Sequence, residues 1–185
     1  MSDTFDTIHK FVTRWEGGYV DDPHDRGGAT NFGVSLRFLQ GLPIEEADIN
    51  RDGVVDKRDI RDLTKDDARR ILKRHFWDEL RLQTLALMKP RIAACCYNFG
   101  MNMGAGTMRK LAQAAAGATA DGIWGPKTWK AFYEADDRAT ALKMCKLARE
   151  RYERIALNNP SQQKFLRGWL SRVRELEKLI RDWEE

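Results

Sequence analysis

Two long stretches of helical periodicity near the end of the chain narrow what the rest can build. From Asp137 to about Leu157, the side chains Leu142, Cys145, Ala148, Tyr152 and Ile155 share one face. From Ser161 to about Trp183, Phe165, Trp169, Val173, Leu176, Ile180 and Trp183 recur in register. Asn159-Pro160 separates the two, because proline has no amide hydrogen to carry a helix through. The earlier chain also reads as helix. Phe5, Ile8, Phe11, Val12 and Trp15 follow the capping residues Ser2-Asp3-Thr4, and Gly17-Gly18 stops that helix. Thr64 with Asp67 forms a capping box, Asp standing for the usual Glu or Gln, ahead of Ala68, Ile71, Leu72, His75 and Phe76. Pro90 opens an apolar helix through about Met103, closed by Gly104. Another runs from Thr107 to Ala116 and ends at Gly117. Pro126 is the first residue of a helix carrying Trp129, Phe132 and Tyr133. The expectation is one all-α domain over residues 1–185, with about seven or eight helices and a turn-rich loop or small hairpin, Asp21 to Gly33, after the first.

Composition excludes several classes. At 185 residues the chain should bury roughly 70% of its unfolded surface, so it needs no disulfide staples. Cys95, Cys96 and Cys145 lack metal spacing and read as reduced core thiols. Apolar runs such as Leu85-Ala86-Leu87-Met88 fall far short of the ~20 residues of a membrane span. Acids at Asp3 and Asp6 stand where a secretory signal carries Lys or Arg, so the chain is expected to start in the cytoplasm. The 32 basic and 28 acidic residues leave a net charge of +4, which permits an anionic partner and selects none. No nucleic-acid motif accompanies it. In the last helix Arg167, Arg172, Arg174 and Lys178 are diluted by Glu175, Glu177, Asp182, Glu184 and Glu185, so packing on the domain is favoured over membrane contact. Nothing calls for a dimer, and a monomer is expected.

The densest chemistry is Glu16-Gly17-Gly18-Tyr19 followed by Asp22-Pro23-His24-Asp25-Arg26-Gly27-Gly28-Ala29-Thr30-Asn31-Phe32-Gly33. Glu16 falls in the last helical turn, where the negative end of the dipole disfavours a carboxylate, and Trp15 and Tyr19 flank it. A carboxyl kept protonated near neutral pH suits a general acid. Asp25, as the ionised partner, and Thr30, as a hydroxyl that holds water, would complete a set for glycoside hydrolysis. Asp22 competes with Asp25. A solvated helix end followed by turn formers would show the same residue types.

A second feature is Asp48-Ile49-Asn50-Arg51-Asp52-Gly53-Val54-Val55-Asp56-Lys57-Arg58-Asp59. Asp48, Asn50, Asp52, Asp56 and Asp59 occupy positions 1, 3, 5, 9 and 12 of an EF-hand-like calcium loop, Gly53 the bend, and Val54 the backbone-carbonyl position. Asp59 replaces the usual Glu. A structural Ca2+ that orders residues 44–63 is expected, with no metal in the chemistry. His9, His24 and His75 lack zinc spacing.

Taken together, Glu-Gly-Gly-Tyr and Asp-Pro-x-Asp-x-Gly-Gly-x-Thr-x-x-Gly resemble the signature of the glycoside hydrolase family 108 muramidases, which include phage endolysins and bacterial secretion-activator proteins. Tyr97-Asn98-Phe99-Gly100-Met101-Asn102-Met103-Gly104, Leu111-Ala112-Gln113 and Asp121-Gly122-Ile123-Trp124-Gly125-Pro126-Lys127-Thr128 resemble that family's C-terminal peptidoglycan-binding half. The resemblance covers roughly residues 5 to 155. It implies a lysozyme-like fold, with a catalytic half over 1–92 and a peptidoglycan-binding half with the C-terminal helices over 93–185. It further implies hydrolysis of the β-1,4 bond between N-acetylmuramic acid and N-acetylglucosamine, with Glu16 as general acid and Asp25 and Thr30 as its partners. Tyr19, Asn98, Asn102 and Trp124 are expected at the glycan, with Gln113 as a further polar groove residue. The chain has Asn98 where the family usually has Asp, which removes an acid role there. The setting expected is an endolysin that is made in the host cytoplasm and acts on the wall after release. A wall-remodelling enzyme that aids secretion and a non-catalytic peptidoglycan-binding protein are the alternatives.

Overall fold

The structure, a computed structural model, describes residues 3–15, 17–21 and 28–183. Among these are eleven α-helices and one two-stranded antiparallel sheet, an all-α fold of the lysozyme-like kind. The chain divides into two compact units, His9–His75 and Met1–Ile8 with Phe76–Glu185. None of the described helices is long and apolar enough to cross a membrane.

The smaller unit takes up α1 (Thr4–Trp15) from His9 on, and a hairpin of β1 (Thr30–Asn31) and β2 (Val34–Ser35) follows in sequence. Val20 pairs with Thr30 through two 2.8 Å backbone bonds. Phe32 (φ +49°) and Gly33 (φ +84°) form the two-residue turn, and both take left-handed backbone, which makes an NG-type hairpin turn with phenylalanine in a position that disfavours a Cβ. Short helices α2 (Leu36–Leu39), α3 (Ile44–Ala47) and α4 (Lys57–Asp62) follow, then α5 (Lys65–Lys73). The Thr64–Asp67 capping box is present, and its Thr64 hydrogen bond holds the Asp67 carboxyl below its usual range. Phe11, Val12, Val34, Leu39, Ile60, Ile71 and Leu72 form the buried apolar set. Asn31 Nδ2 ties the hairpin to α4 by donating to the Ile60 carbonyl at 2.9 Å.

The backbone widens after α5. Arg74–Asp78 is a turn of π-helix, an insertion that often marks a functional segment. In the larger unit α6 (Leu82–Met88) precedes α7 (Pro90–Met103), every residue of which from Arg91 to Gly100 is buried. A helix buried all round is central, and α7 meets α6, α8 (Ala105–Ala115) and α10 (Asp137–Asn158). Its free N-terminal amides, those of Arg91 and Ile92, donate to the Asp137 carboxylate at 3.1 and 3.0 Å. α9 (Pro126–Glu134) lies between α8 and α10 in sequence, and α11 (Gln163–Asp182) packs along α10. The three cysteines are free and buried, and burial pushes the Cys95 and Cys96 thiols well up.

The helices with proline, glycine or cap punctuation lie where the sequence puts them. The additional ones, α2, α3, α4 and α6, are four to seven residues long, too short to display a period.

Candidate active site

Glu16 and Asp25, with the rival Asp22 and His24, lie outside the described residues. Thr30 is described. It sits on β1, half-buried, and its hydroxyl donates to the Gly28 carbonyl at 3.3 Å. Tyr19 is exposed, with the Arg61 guanidinium 5.4 Å above its ring centre.

Immediately beyond the end of α1 the smaller unit has a cavity of about 480 Å3. Its walls are His9, Thr13 and Arg14 of α1, then Gly17 and Gly18, Phe32 of the hairpin turn, and Lys65, Asp66, Ala68 and Arg69 of α5. This size suits a small polar ligand or one sugar unit with its substituents. The Thr13 hydroxyl spends its hydrogen on the His9 carbonyl at 2.9 Å, so only its lone pairs face outward. Among the described lining residues, three cationic side chains stand against one carboxylate. Phe32 supplies an apolar wall, and the cost of its left-handed backbone is of the kind that concentrates at functional sites. Arg14, Lys65 and Arg69 were not legible as site residues.

In the larger unit two expected groove residues, Asn98 and Gln113, are corrected. Asn98 has no exposed surface, and its Oδ1 accepts from Arg172 Nε at 2.9 Å, so this side chain serves the core. Gln113 is equally buried. Its Nε2 donates to Asp121 Oδ1 (2.7 Å), the Ile123 carbonyl (3.0 Å) and Thr128 Oγ1 (3.0 Å), and its Oε1 accepts from the Gly122 amide (2.8 Å). It is the anchor of the Asp121–Pro126 turn. Trp124 is half-buried in that turn rather than displayed by it. Its ring packs edge-on against Phe132 and Trp129 at 5.1 and 6.0 Å between centres. Asn102, near the end of α7, is exposed.

Loop 48–59 connects α3 to α4 with Gly53 at φ +86°. Its oxygen donors suit a hard cation in kind. They also accept hydrogen bonds from within the loop. Asp59, wholly buried, accepts from the amides of Ile49 (2.8 Å), Asn50 (3.3 Å) and Asp56 (2.8 Å). Asp48 accepts from Asp52 and Gly53, Asn50 Oδ1 accepts from the Asp52 amide, and the Val54 amide donates to Asp52. Arg58 bridges Asp52 at 2.8 Å and Asp56 at 2.9 Å, and its hydrogen bond keeps the Asp56 carboxyl below its usual range. No three His, Cys, Asp or Glu side chains among the described residues gather to hold a metal. Asp48, Asn50, Asp52, Val54, Asp56 and Asp59 thus lie on a loop whose carboxylates also accept backbone amides and Arg58.

Comparison with known proteins adds identity to this geometry. The profile described as glycosyl hydrolase 108 matches residues 9–104, and one described as a predicted peptidoglycan domain matches residues 107–174. No curated protein matches the chain. Among solved structures, SagA from Brucella abortus is similar with 26% identity and a TM-score of 0.75, over 96% of this chain and 93% of that one. Because the first profile covers more than half of its length, the chain belongs to the glycosyl hydrolase 108 family.

Proposed function

We propose that this protein is an N-acetylmuramidase that hydrolyses the β-1,4 bond between N-acetylmuramic acid and N-acetylglucosamine in bacterial peptidoglycan. The observation that carries the reading is the succession of a glycosyl hydrolase 108 match over 9–104 and a peptidoglycan-domain match over 107–174. The cavity past the end of α1 supports it, because Gly17 and Gly18 on its wall directly follow Glu16 in sequence.

In this reading Glu16 gives a proton to the glycosidic oxygen as the bond to the anomeric carbon breaks. Asp25, or Asp22 in its place, steadies the positive charge that builds on the sugar or activates water, and Thr30 positions that water. Tyr19 and Asn102, both exposed, and the half-buried Trp124 are the described side chains proposed to meet glycan. We place the enzyme as an endolysin acting on the wall for host lysis. A wall-remodelling role uses the same chemistry.

Mass spectrometry of purified peptidoglycan digested by wild type and by Glu16→Gln tests the proposal. New N-acetylmuramic acid reducing ends from wild type, falling about 100-fold or more in the variant, are expected, since a general acid contributes roughly 100- to 10,000-fold. Binding to sacculi with no release by wild type would replace this reading with a non-catalytic binding protein.

Loop 48–59 enters the proposal as a structural Ca2+ site. What supports it is the donor spacing, the glycine at the bend and the helices on either side. Binding would require Arg58 to release Asp52 and Asp56.

A further inference from the structure

We infer that the groove between α8 and α10 is a docking site for the carboxylate-bearing peptide stem of peptidoglycan, separate from the cavity past α1. This inference rests on the peptidoglycan reading above. Thr107, Lys110, Leu111 and Ala114 line one wall and Leu147, Glu150, Arg151 and Arg154 the other, around a cavity of about 390 Å3. Within each helix the spacing is i, i+3, i+4, i+7, so each wall is one continuous helical face. All eight residues fall inside the segment matched by the peptidoglycan-domain profile, 107–174.

Charge selects the occupant. Lys110, Arg151 and Arg154 line it with one acid, Glu150, whose carboxylate already lies 4.0 Å from Lys146, while Lys110 also feels Asp121. Arg151 Nε is buried with no hydrogen-bond partner among the described residues. Arg151 and Arg154 both line the groove, and the guanidinium fork matches a carboxylate. The glycan strand is uncharged apart from its substituents, whereas peptide stems carry free carboxylates beside alanyl methyl groups. Leu111, Ala114 and Leu147 give such methyl groups an apolar wall. A larger cavity of about 870 Å3 beside α9 also lies within the matched segment. Its Lys127 and Lys130 are balanced by Asp121 and Glu134, so it has no such preference for an anion.

The test is calorimetric titration of the full-length chain with three probes. These are a disaccharide tetrapeptide with free carboxylates, the same compound with its carboxylates amidated, and the stem-free disaccharide. Lys110→Ala with Arg154→Ala, both at exposed positions, should weaken the free-carboxylate probe at least tenfold at an unchanged Tm. Affinity for the stem-free disaccharide should not move. Arg151→Lys, which keeps the charge and loses the fork, should give a smaller loss. Equal affinity of wild type and double variant for the free-carboxylate probe, or tight binding of the amidated probe, would overturn the site. So would a phosphate polymer such as teichoic acid that displaces the muropeptide and binds more tightly. Sacculus digestion by wild type runs alongside: digestion with muropeptide affinity unaltered in the double variant sinks the groove alone. No digestion together with no binding of any probe sinks the peptidoglycan reading itself.

Discussion

Arg172 on α11 donates its Nε hydrogen to Asn98 Oδ1 on α7 across 2.9 Å, with Asn98 wholly buried and Arg172 only 7% exposed. A guanidinium taken out of water needs fixed acceptors, and an amide carbonyl in the centre of α7 is one. The family's usual Asp at this position would offer the same acceptor with a charge. Asn98→Leu should therefore cost about 2–3 kcal/mol in urea denaturation, the scale for leaving a charged donor short of a partner. Peptidoglycan affinity of the folded variant should stay at the wild-type value. A fall in affinity at unchanged stability would return Asn98 to the glycan.

Gln113 holds the Asp121–Pro126 turn through two amide hydrogens shared among three acceptors and one accepted bond, so both ends of the amide matter. Gln113→Glu keeps the shape but cannot donate, and it sets a carboxylate against Asp121. A loss of about 2–3 kcal/mol near neutral pH is expected by chemical denaturation, with partial recovery in acid as the new carboxyl protonates.

The same turn carries a pH dependence. The Ile123 amide first, then Gln113, hold the Asp121 carboxyl below its usual range. The folded state thus binds its proton less readily than the unfolded state. The stabilisation is present above the ordinary aspartate value, about pH 4, and is lost as pH falls through the depressed one. Melting wild type beside Asp121→Asn should show a Tm difference that shrinks as pH drops below about 4. A difference constant down to pH 2 would contradict this.

Phe5, Trp77 and Tyr97 form a buried trio of edge-on rings, with centres 5.3 to 5.8 Å apart. Removing the smallest ring leaves two large ones around a void they cannot close. Phe5→Ala should cost about 3–5 kcal/mol, read as a shift of the urea midpoint.

What was legible in the sequence was what local chemistry fixes. Pro90, Pro126, the Thr64–Asp67 box and Asn159-Pro160 set boundaries within a few residues of themselves, and those helices stand as expected. Trp124 is half-buried, although its turn looks fully exposed from its own residues. The partners that cover it, Trp129 and Phe132, arrive on the next helix. Asn98 and Gln113 were misplaced for a related reason. A polar side chain reads as surface until its partner is known, and Arg172 lies 74 positions away. The π-turn at Arg74–Asp78 shifts the periodicity by one residue, which no composition pattern announces.

Loop 48–59 separates two roles that its acids play. Asp59 accepts three backbone amides while wholly buried, so Asp59→Ala should lower stability by about 2–4 kcal/mol with or without calcium, because it leaves those donors unpaired. Arg58 acts differently. It is exposed and occupies the Asp52 and Asp56 carboxylates that the proposed ion needs. If the loop takes Ca2+, the cation and Arg58 compete for those two acids. Arg58→Gln should then bind calcium about tenfold more tightly than wild type in titration calorimetry, and its Tm should rise further on adding calcium. Wild-type Tm and sacculus digestion should both fall with a chelator. A Tm indifferent to calcium in wild type and in Arg58→Gln would leave the loop as a set of amide caps held by an arginine.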